Sequence, residues 1–276
     1  MDFNKISIMG IINITPDSFF DGGKWKSQQQ IHSKIEKWVE HGIDIVDVGC
    51  ESSRPGSNPI SIHEEIDRLN IFIPIIKLFP DVILSIDTYK PEVAEYALKN
   101  GFQIINDIYG ATNNEIFKVA KKYNAPVIIM HMQGKPESMQ DNPKYDNIIQ
   151  NISNFFSERI QTALNFGIKH ENIILDPGIG FGKTFSDNDK ILHNINRFKS
   201  LGYPLLVGTS RKSFLQVNDD IPDSRFANSI SSMTIALLNG ANIIRVHDIK
   251  DSIKVKIFIE RYMSSNGLSI KKRFFN

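Results

Sequence analysis

The chain has 276 residues, close to the roughly 250 of a single (β/α)8 barrel and ample for one large core. Lys plus Arg total 32 against 31 for Asp plus Glu, a net charge of +1, so no net field favours nucleic acid or an anionic membrane, and any anion must be held by a local cluster. The single cysteine, Cys50, excludes an internal disulfide and a cysteine-based zinc site and fits a reducing, cytoplasmic setting, while the opening MDFNKISIMG offers no apolar stretch long enough for a signal peptide or membrane span.

Strands are predicted at 6–12, 43–49, 82–87, 103–107, 126–131, 173–176, 204–208 and 243–247. Most are continuous apolar runs, as expected when both faces of a parallel strand are covered. Helical patterns alternate with them: Gln28 to Glu40, Glu64 to Leu78, Pro91 to Lys99, Glu115 to Lys122, Asn147 to Phe166, Asn188 to Lys199, Ala227 to Leu238 and Ser252 to Tyr262. Gly42, Gly101, Gly167, Gly202 and Gly240 stand just past five of these helices, and Pro91 opens a sixth. Eight strand–helix pairs with no linker or low-complexity segment predict one domain over 1–276, an α/β chain folded as a TIM barrel. An open doubly wound sheet is the alternative, but it usually has fewer strands and one dominant glycine-rich turn.

Nearly every apolar run ends in a polar residue that a core strand would not need: Asn13, Asp47, Asp87, Asn106, His131, Asp176, Ser210 and His247. Such positions at the carboxyl ends of parallel strands are where this architecture keeps its chemistry. After the first strand, Asn13, Thr15, Asp17, Ser18 and Asp21 crowd together before Gly22 and Gly23. They form either a solvated capping loop or a hard-cation site, in which Asn13 and Asp21 would suit magnesium shared with substrate phosphates. Asp87, Asn106 and Asp176 either cap helices and pair with barrel cations, or read a flat heterocycle whose amino group and ring N–H a carboxylate accepts together.

Arg245 and His247 are separated by one residue, so on a regular strand they project to the same side, inward. They serve either as a structural ion pair and cap or as an anion site in which the guanidinium also stacks on a ring. GTSRKSF, Gly208 to Phe214, packs hydroxyls and cations at the expected start of a loop or helix, whose free N–H groups favour an anion. GIGFGK, Gly178 to Lys183, lacks the GxGxxG frame of a dinucleotide site, and its Lys183 reads as a surface or loop anchor. Cys50 is expected to be a small buried thiol and His131 a packed strand-end residue, neither of them catalytic.

These strings, together with MGIINITPDSFFDGG at Met9 to Gly23, ESSRPGS at Glu51 to Ser57, SIDT at Ser85 to Thr88, INDIYG at Ile105 to Gly110, MHMQG at Met130 to Gly134 and IIRVHD at Ile243 to Asp248, resemble the dihydropteroate synthase family over nearly the whole chain and in the family's order. The resemblance implies condensation of a hydroxymethyldihydropterin diphosphate with 4-aminobenzoate, releasing diphosphate. It assigns the pterin to Asp87, Asn106, Asp176, Lys212 and Arg245, and the diphosphate to Asn13, Ser53, Arg245 and His247. Aminobenzoate falls to Phe19, Ser53, Arg54, Pro55, Phe181 and Ser213, magnesium to Asn13 and Asp21, and catalysis to Arg245, His247 and Lys212. A homodimer and sulfonamide sensitivity are implied in the same way.

The loop after the second strand departs from the family pattern: Cys50 stands where Gly is common and Ser53 where Thr is common. Ser keeps the hydroxyl and loses a methyl, so activity is expected to survive. Three other functions compete. A pterin-barrel methyltransferase would not need the TPDSFFDGG and SRKS loops, and a non-catalytic pterin-binding subunit would not need Asn13, Asp21, Arg245 and His247. A barrel isomerase or aldolase would want a buried Schiff-base lysine, for which Lys212 is the tempting candidate. Arg245→Ala is expected to reduce turnover far more than it alters folding.

Overall fold

The structure, a computed structural model, describes residues 5–14, 23–53, 56–217 and 225–265, the side chains of 23–27 excepted. Eight parallel strands are present: β1 (Ser7–Asn13), β2 (Ile45–Gly49), β3 (Ile83–Asp87), β4 (Ile104–Asp107), β5 (Val127–Met130), β6 (Ile173–Asp176), β7 (Leu206–Val207) and β8 (Ile243–Val246). Their hydrogen-bonded order is β6-β5-β4-β3-β2-β1-β8-β7. A parallel bridge between Leu175 and Leu205 joins the two ends and closes the barrel. All eight predicted strands are therefore present, as is the predicted barrel.

Around the sheet lie α1 (Gly23–His41), α2 (Ile62–Ile76), α3 (Pro91–Lys99), α4 (Glu115–Tyr123), α5 (Ile148–Asn165), α6 (Phe185–His193), α7 (Ile195–Lys199), α8 (Phe226–Leu238) and α9 (Ile249–Ser265). The five glycines expected to stop helices all take positive φ. One predicted helix is wrong in outline: the pattern at Asn188 to Lys199 is two helices. The first starts early because Thr184 and Asp187 form a reciprocal capping box. It ends at Asn194, whose side-chain amide donates to the Lys190 carbonyl (2.8 Å).

Strand periodicity explains why the runs read as continuously apolar. Met9, Ile45, Ile104, Ile128, Ile174, Leu206 and Ile243 fill the barrel interior. Their alternates, among them Val46, Val48, Leu84, Ile86, Ile105, Val127 and Ile129, belong to the layer beneath the helices. Two residues beyond the interior isoleucines the inward positions turn polar, giving Asp47 after Ile45, Ser85 after Ile83, Asn106 after Ile104, Asp176 after Ile174 and Arg245 after Ile243. Strand register then aligns Asn13 with Gly49, Gly49 with Asp87 and Asp87 with Asn106 across four neighbouring strands. An apolar plug thus carries a polar layer at the carboxyl end.

Candidate active site

The polar layer is organised by one guanidinium. Arg245 Nε donates to Asp47 Oδ2 (2.7 Å) and Arg245 Nη2 to Asp87 Oδ2 (2.7 Å). Asp47 Oδ2 also accepts from Asn106 Nδ2 (3.1 Å), so four strands meet through three side chains and one cation. Asp47 is fully buried, and a buried carboxylate persists only when paired. Burial pushes the Asp87 carboxyl above the usual carboxylate range, and Arg245 opposes that rise. Burial likewise disfavours the Arg245 charge, but Asp47 and Asp87 more than offset it and keep the residue cationic.

Across the mouth, Asp176 accepts from the Gly178 N–H (2.7 Å) through Oδ1. Burial raises its pKa to about 6, with the Gly178 N–H and then Lys212 pulling the other way. Lys212 Nζ stands 4.1 Å from the centre of the Phe181 ring, a cation–π contact. Its pKa is lowered to about 8, by burial first and by Arg245 second. A carboxylate, an ammonium and an aromatic face therefore share one corner.

At the rim, exposed His247 sits just past β8, and its backbone N–H donates to Ser210 Oγ (3.3 Å) while its Nδ1 lies 3.1 Å from the same oxygen. Desolvation, then Arg245 and Arg211, lower the ring's pKa to about 4, so it is neutral. With Ser210 donating to Nδ1, the Nε2–H is left as a donor. Arg211, at φ 59, places its guanidinium on both carboxylate oxygens of Asp248 (3.2 and 2.7 Å). Its neighbour Lys212 turns instead over the Phe181 ring.

The chain matches the pterin binding enzyme family over residues 9–247. A dihydropteroate synthase from Clostridium beijerinckii is 43% identical over 248 residues, covering 89% of this chain and 90% of that protein. The chain belongs to the dihydropteroate synthases. The Yersinia pestis dihydropteroate synthase, solved with a sulfonamide drug complex, superposes with a TM-score of 0.88 at 36% identity over 96% of both chains. The Xanthomonas albilineans dihydropteroate synthase, solved with 4-aminobenzoic acid, superposes with a TM-score of 0.88 at 32% identity over 95% of both.

Among the residues that the family resemblance singled out, Asp87, Asn106 and Arg245 are directly linked through Asp47, and Asp176, Lys212 and Phe181 form the opposite wall. Arg245 points inward as expected, whereas His247 is at the rim. Phe19, Asp21, Arg54 and Pro55 lie outside the described residues. Of the two alternatives for GTSRKSF, a loop or a helix, the structure has the loop: Ser213 opens a three-residue 3-10 turn, Ser213–Leu215. One such turn has too few aligned peptides to sum into a helix dipole, so exposed Ser213 offers local donors only. Lys183 also differs from the surface alternative. It is buried, its Nζ donates to the carbonyls of His131 (3.0 Å) and Phe181 (2.8 Å), and burial lowers its pKa to about 7. Cys50 is buried, and His131 is packed edge-on against Phe155 with its pKa lowered to about 3, first by burial and then by Lys183.

Sequence reasoning missed the role of Asp47, which lies two residues inside β2 rather than at its tip. A carboxylate in the middle of IDIVDVG was the available signal, since that position has no route to solvent. It also missed the Ser210–His247 and Arg211–Asp248 pairs, which join loops 37 residues apart in sequence.

Proposed function

We propose that the chain condenses 6-hydroxymethyl-7,8-dihydropterin diphosphate with 4-aminobenzoate to give 7,8-dihydropteroate and diphosphate. One observation carries the reading: Arg245 is fixed between Asp47 and Asp87, facing the Asp176–Lys212 wall, so an acidic floor for a flat heterocycle and cations for its leaving group share one mouth. Asp176, Asp87 and Asn106 read the pterin edges, and Lys212 donates to the ring. The remaining N–H groups of Arg245 and the Nε2–H of His247 face the diphosphate. Ser53, Arg54, Pro55, Phe19, Phe181 and Ser213 surround aminobenzoate.

Diphosphate leaves from the pterin methylene before or as the aniline nitrogen attacks that carbon. The C–O bond breaks with its electron pair on diphosphate, and the new C–N bond forms with loss of one amine proton. No covalent enzyme intermediate is needed, so the protein contributes alignment and electrostatic stabilisation of the leaving group. Magnesium belongs to the same reading, held by Asn13 and Asp21. Asn13 Oδ1 would lie 3.3 Å from a Cβ built on Gly49, and Asp87 Oδ2 3.6 Å from it, which puts a hard oxygen ligand at the mouth. Among the described residues no cluster of three or more His, Cys, Asp or Glu could hold a metal. Water and substrate phosphates would complete the sphere, as magnesium favours. Bound there, it would neutralise charge on the leaving group.

A homodimer, a cytoplasmic location and inhibition by sulfonamides, which mimic aminobenzoate, complete the proposal. Exposed Ile235 on α8 and Ile257, Phe258 and Tyr262 on α9, two helices that pack together, support the dimer. The test of the activity is incubation with pterin diphosphate, aminobenzoate and magnesium, omitting each in turn and quantifying diphosphate and dihydropteroate. Product in the complete mixture alone supports the reading; methyl transfer from methyltetrahydrofolate, or binding without turnover, overturns it.

A further inference from the structure

The loop after β2 carries Ser53, and its two feet, the described residues Glu51 and Ile60 on either side of Ser53, are tied to a side chain from another strand's loop. Lys90, three residues beyond Asp87, directs its ammonium to Glu51 Oε2 (2.6 Å), to the Ile60 carbonyl (2.9 Å) and to Glu65 Oε2 on α2 (2.6 Å). Three donors meet three acceptors, so the ammonium is saturated. Glu51 Oε2 also accepts from the Ile60 N–H (2.9 Å), closing the two feet on each other. Within the arch Ser57 Oγ donates to the Ser52 carbonyl (2.6 Å). On the far side Arg68 joins Glu64 (2.6 Å) to the Cys50 carbonyl (2.8 Å), tying α2 to the residue before the first foot.

Lys90 and Glu51 are mostly shielded and Glu65 is buried. Charge-assisted bonds in such a place are strong and geometrically demanding. The network touches none of Asp87, Asn106, Asp176, Lys212 or Arg245. Asp87 itself is placed by strand pairing to Gly49 and Asn106, so the backbone of the pterin floor is set without Lys90. The feet do depend on Lys90, because without the ammonium Glu51 and Glu65 repel each other and both the Glu51 and the Ile60 carbonyl links to Lys90 are lost.

We propose that Lys90 is a positioning residue for the second substrate: by pinning Glu51 and Ile60 it holds Ser53, between these two feet, in place to meet aminobenzoate. The inference rests on the proposed synthase activity and deepens it. A segment held at both feet in advance loses less freedom when the substrate arrives, so untying the feet raises the KM for aminobenzoate while leaving that for the pterin in place. Releasing two or three side chains corresponds to a rise of roughly tenfold.

The experiment is steady-state kinetics on Lys90→Met and Lys90→Arg, varying each substrate at saturation of the other. Lys90→Met is expected to raise the aminobenzoate KM about tenfold with kcat and the pterin KM within about twofold, and Lys90→Arg to recover most of the loss. Should Lys90→Met fail to fold, Lys90→Met/Glu65→Gln removes one stranded carboxylate and is read in the same way. Parallel rises in both KM values, a fall in kcat alone, or unchanged kinetics in a folded variant overturn the role of Lys90. Absence of dihydropteroate with the unaltered protein overturns instead the activity on which the inference rests.

Discussion

Arg245 is where structure most changes the expectation drawn from sequence. Read at the end of a strand, it belongs to the chemistry and Arg245→Ala should spare folding. Its Nε, however, is the charged partner of fully buried Asp47, 198 positions away. Removing one member of a buried pair costs about 3–5 kcal/mol because the other charge is stranded. Arg245→Ala is therefore expected to lose both thermal stability and turnover, while Arg245→Ala/Asp47→Asn regains most of the stability and none of the turnover. Thermal unfolding and product assays on both variants check this, and recovered turnover in the double variant would remove Arg245 from the chemistry. Asp176 supplies a second prediction. Between the ordinary carboxylate range and about 6 the folded chain keeps a proton that the unfolded chain has released, so this group lowers stability as pH rises through that window. In the proposed reading the ionised form accepts from the pterin, so kcat/KM for the pterin diphosphate should fall roughly tenfold per unit as pH drops below about 6. A flat profile down to pH 5 would remove Asp176 from the pterin edge. The individual acids and amide towards the strand ends, Asp47 included, were legible from sequence; the part of Asp47 as shared acceptor was not, because its partners Asn106 and Arg245 are distant in the chain.

At the scale of elements, the GIGFGK loop shows how a glycine pattern can invite the wrong chemistry. A Cβ on Gly178 would fall 2.0 Å from the His131 carbonyl oxygen and one on Gly182 would fall 2.4 Å from that of Gln133, both at positive φ. These glycines let the loop after β6 lie directly on the loop after β5. Once there, Gln140 Nε2 donates to the Gly180 carbonyl (2.8 Å) and the Tyr145 hydroxyl to the Gly182 carbonyl (2.7 Å), fixing Phe181 beneath Lys212. Gly182→Ala is expected to cost about 1–2 kcal/mol from its backbone conformation alone, and more from the clash. The loop shift should also raise the aminobenzoate KM by displacing Phe181. A melting temperature and KM equal to those of the unaltered protein would show that the two loops are not so tightly apposed. Sequence excluded a dinucleotide site here because the spacing is wrong, but it could not locate the carbonyls that make glycine necessary. The same limit explains Ser213: hydroxyls and cations in a row announce an anion, whereas only the backbone decides between a single turn and a helix.

For the whole molecule, the barrel was legible because parallel strands covered on both faces leave continuous apolar runs, and because glycines punctuate the helix ends. The residues that join the two ends of the sheet were not, since nothing in local pattern ranks one strand pairing above another. The seam is weakest at β7, two residues long, where one bridge joins Leu205 to Leu175. Buried Asn242, just before β8, braces the other side of β7: Oδ1 accepts from the Leu205 N–H (3.1 Å) and from Lys199 Nζ (2.6 Å), while its own N–H donates to the Leu205 carbonyl (2.8 Å). An amide at that point both extends the ladder and holds a lysine whose pKa burial lowers to about 8. Asn242→Ala keeps the backbone bond and removes the side-chain bonds to Leu205 and Lys199, a loss of about 1–3 kcal/mol because one donor is charged and both are shielded. For a chain of this size that corresponds to several degrees in melting temperature. If the seam is where the barrel opens, amide exchange should quicken first at Leu205, Leu206 and Val207, with β2 to β4 still protected and the pterin floor intact. Exchange that quickened evenly around all eight strands would mean that the barrel opens as one cooperative unit and that Asn242 merely contributes to its total stability.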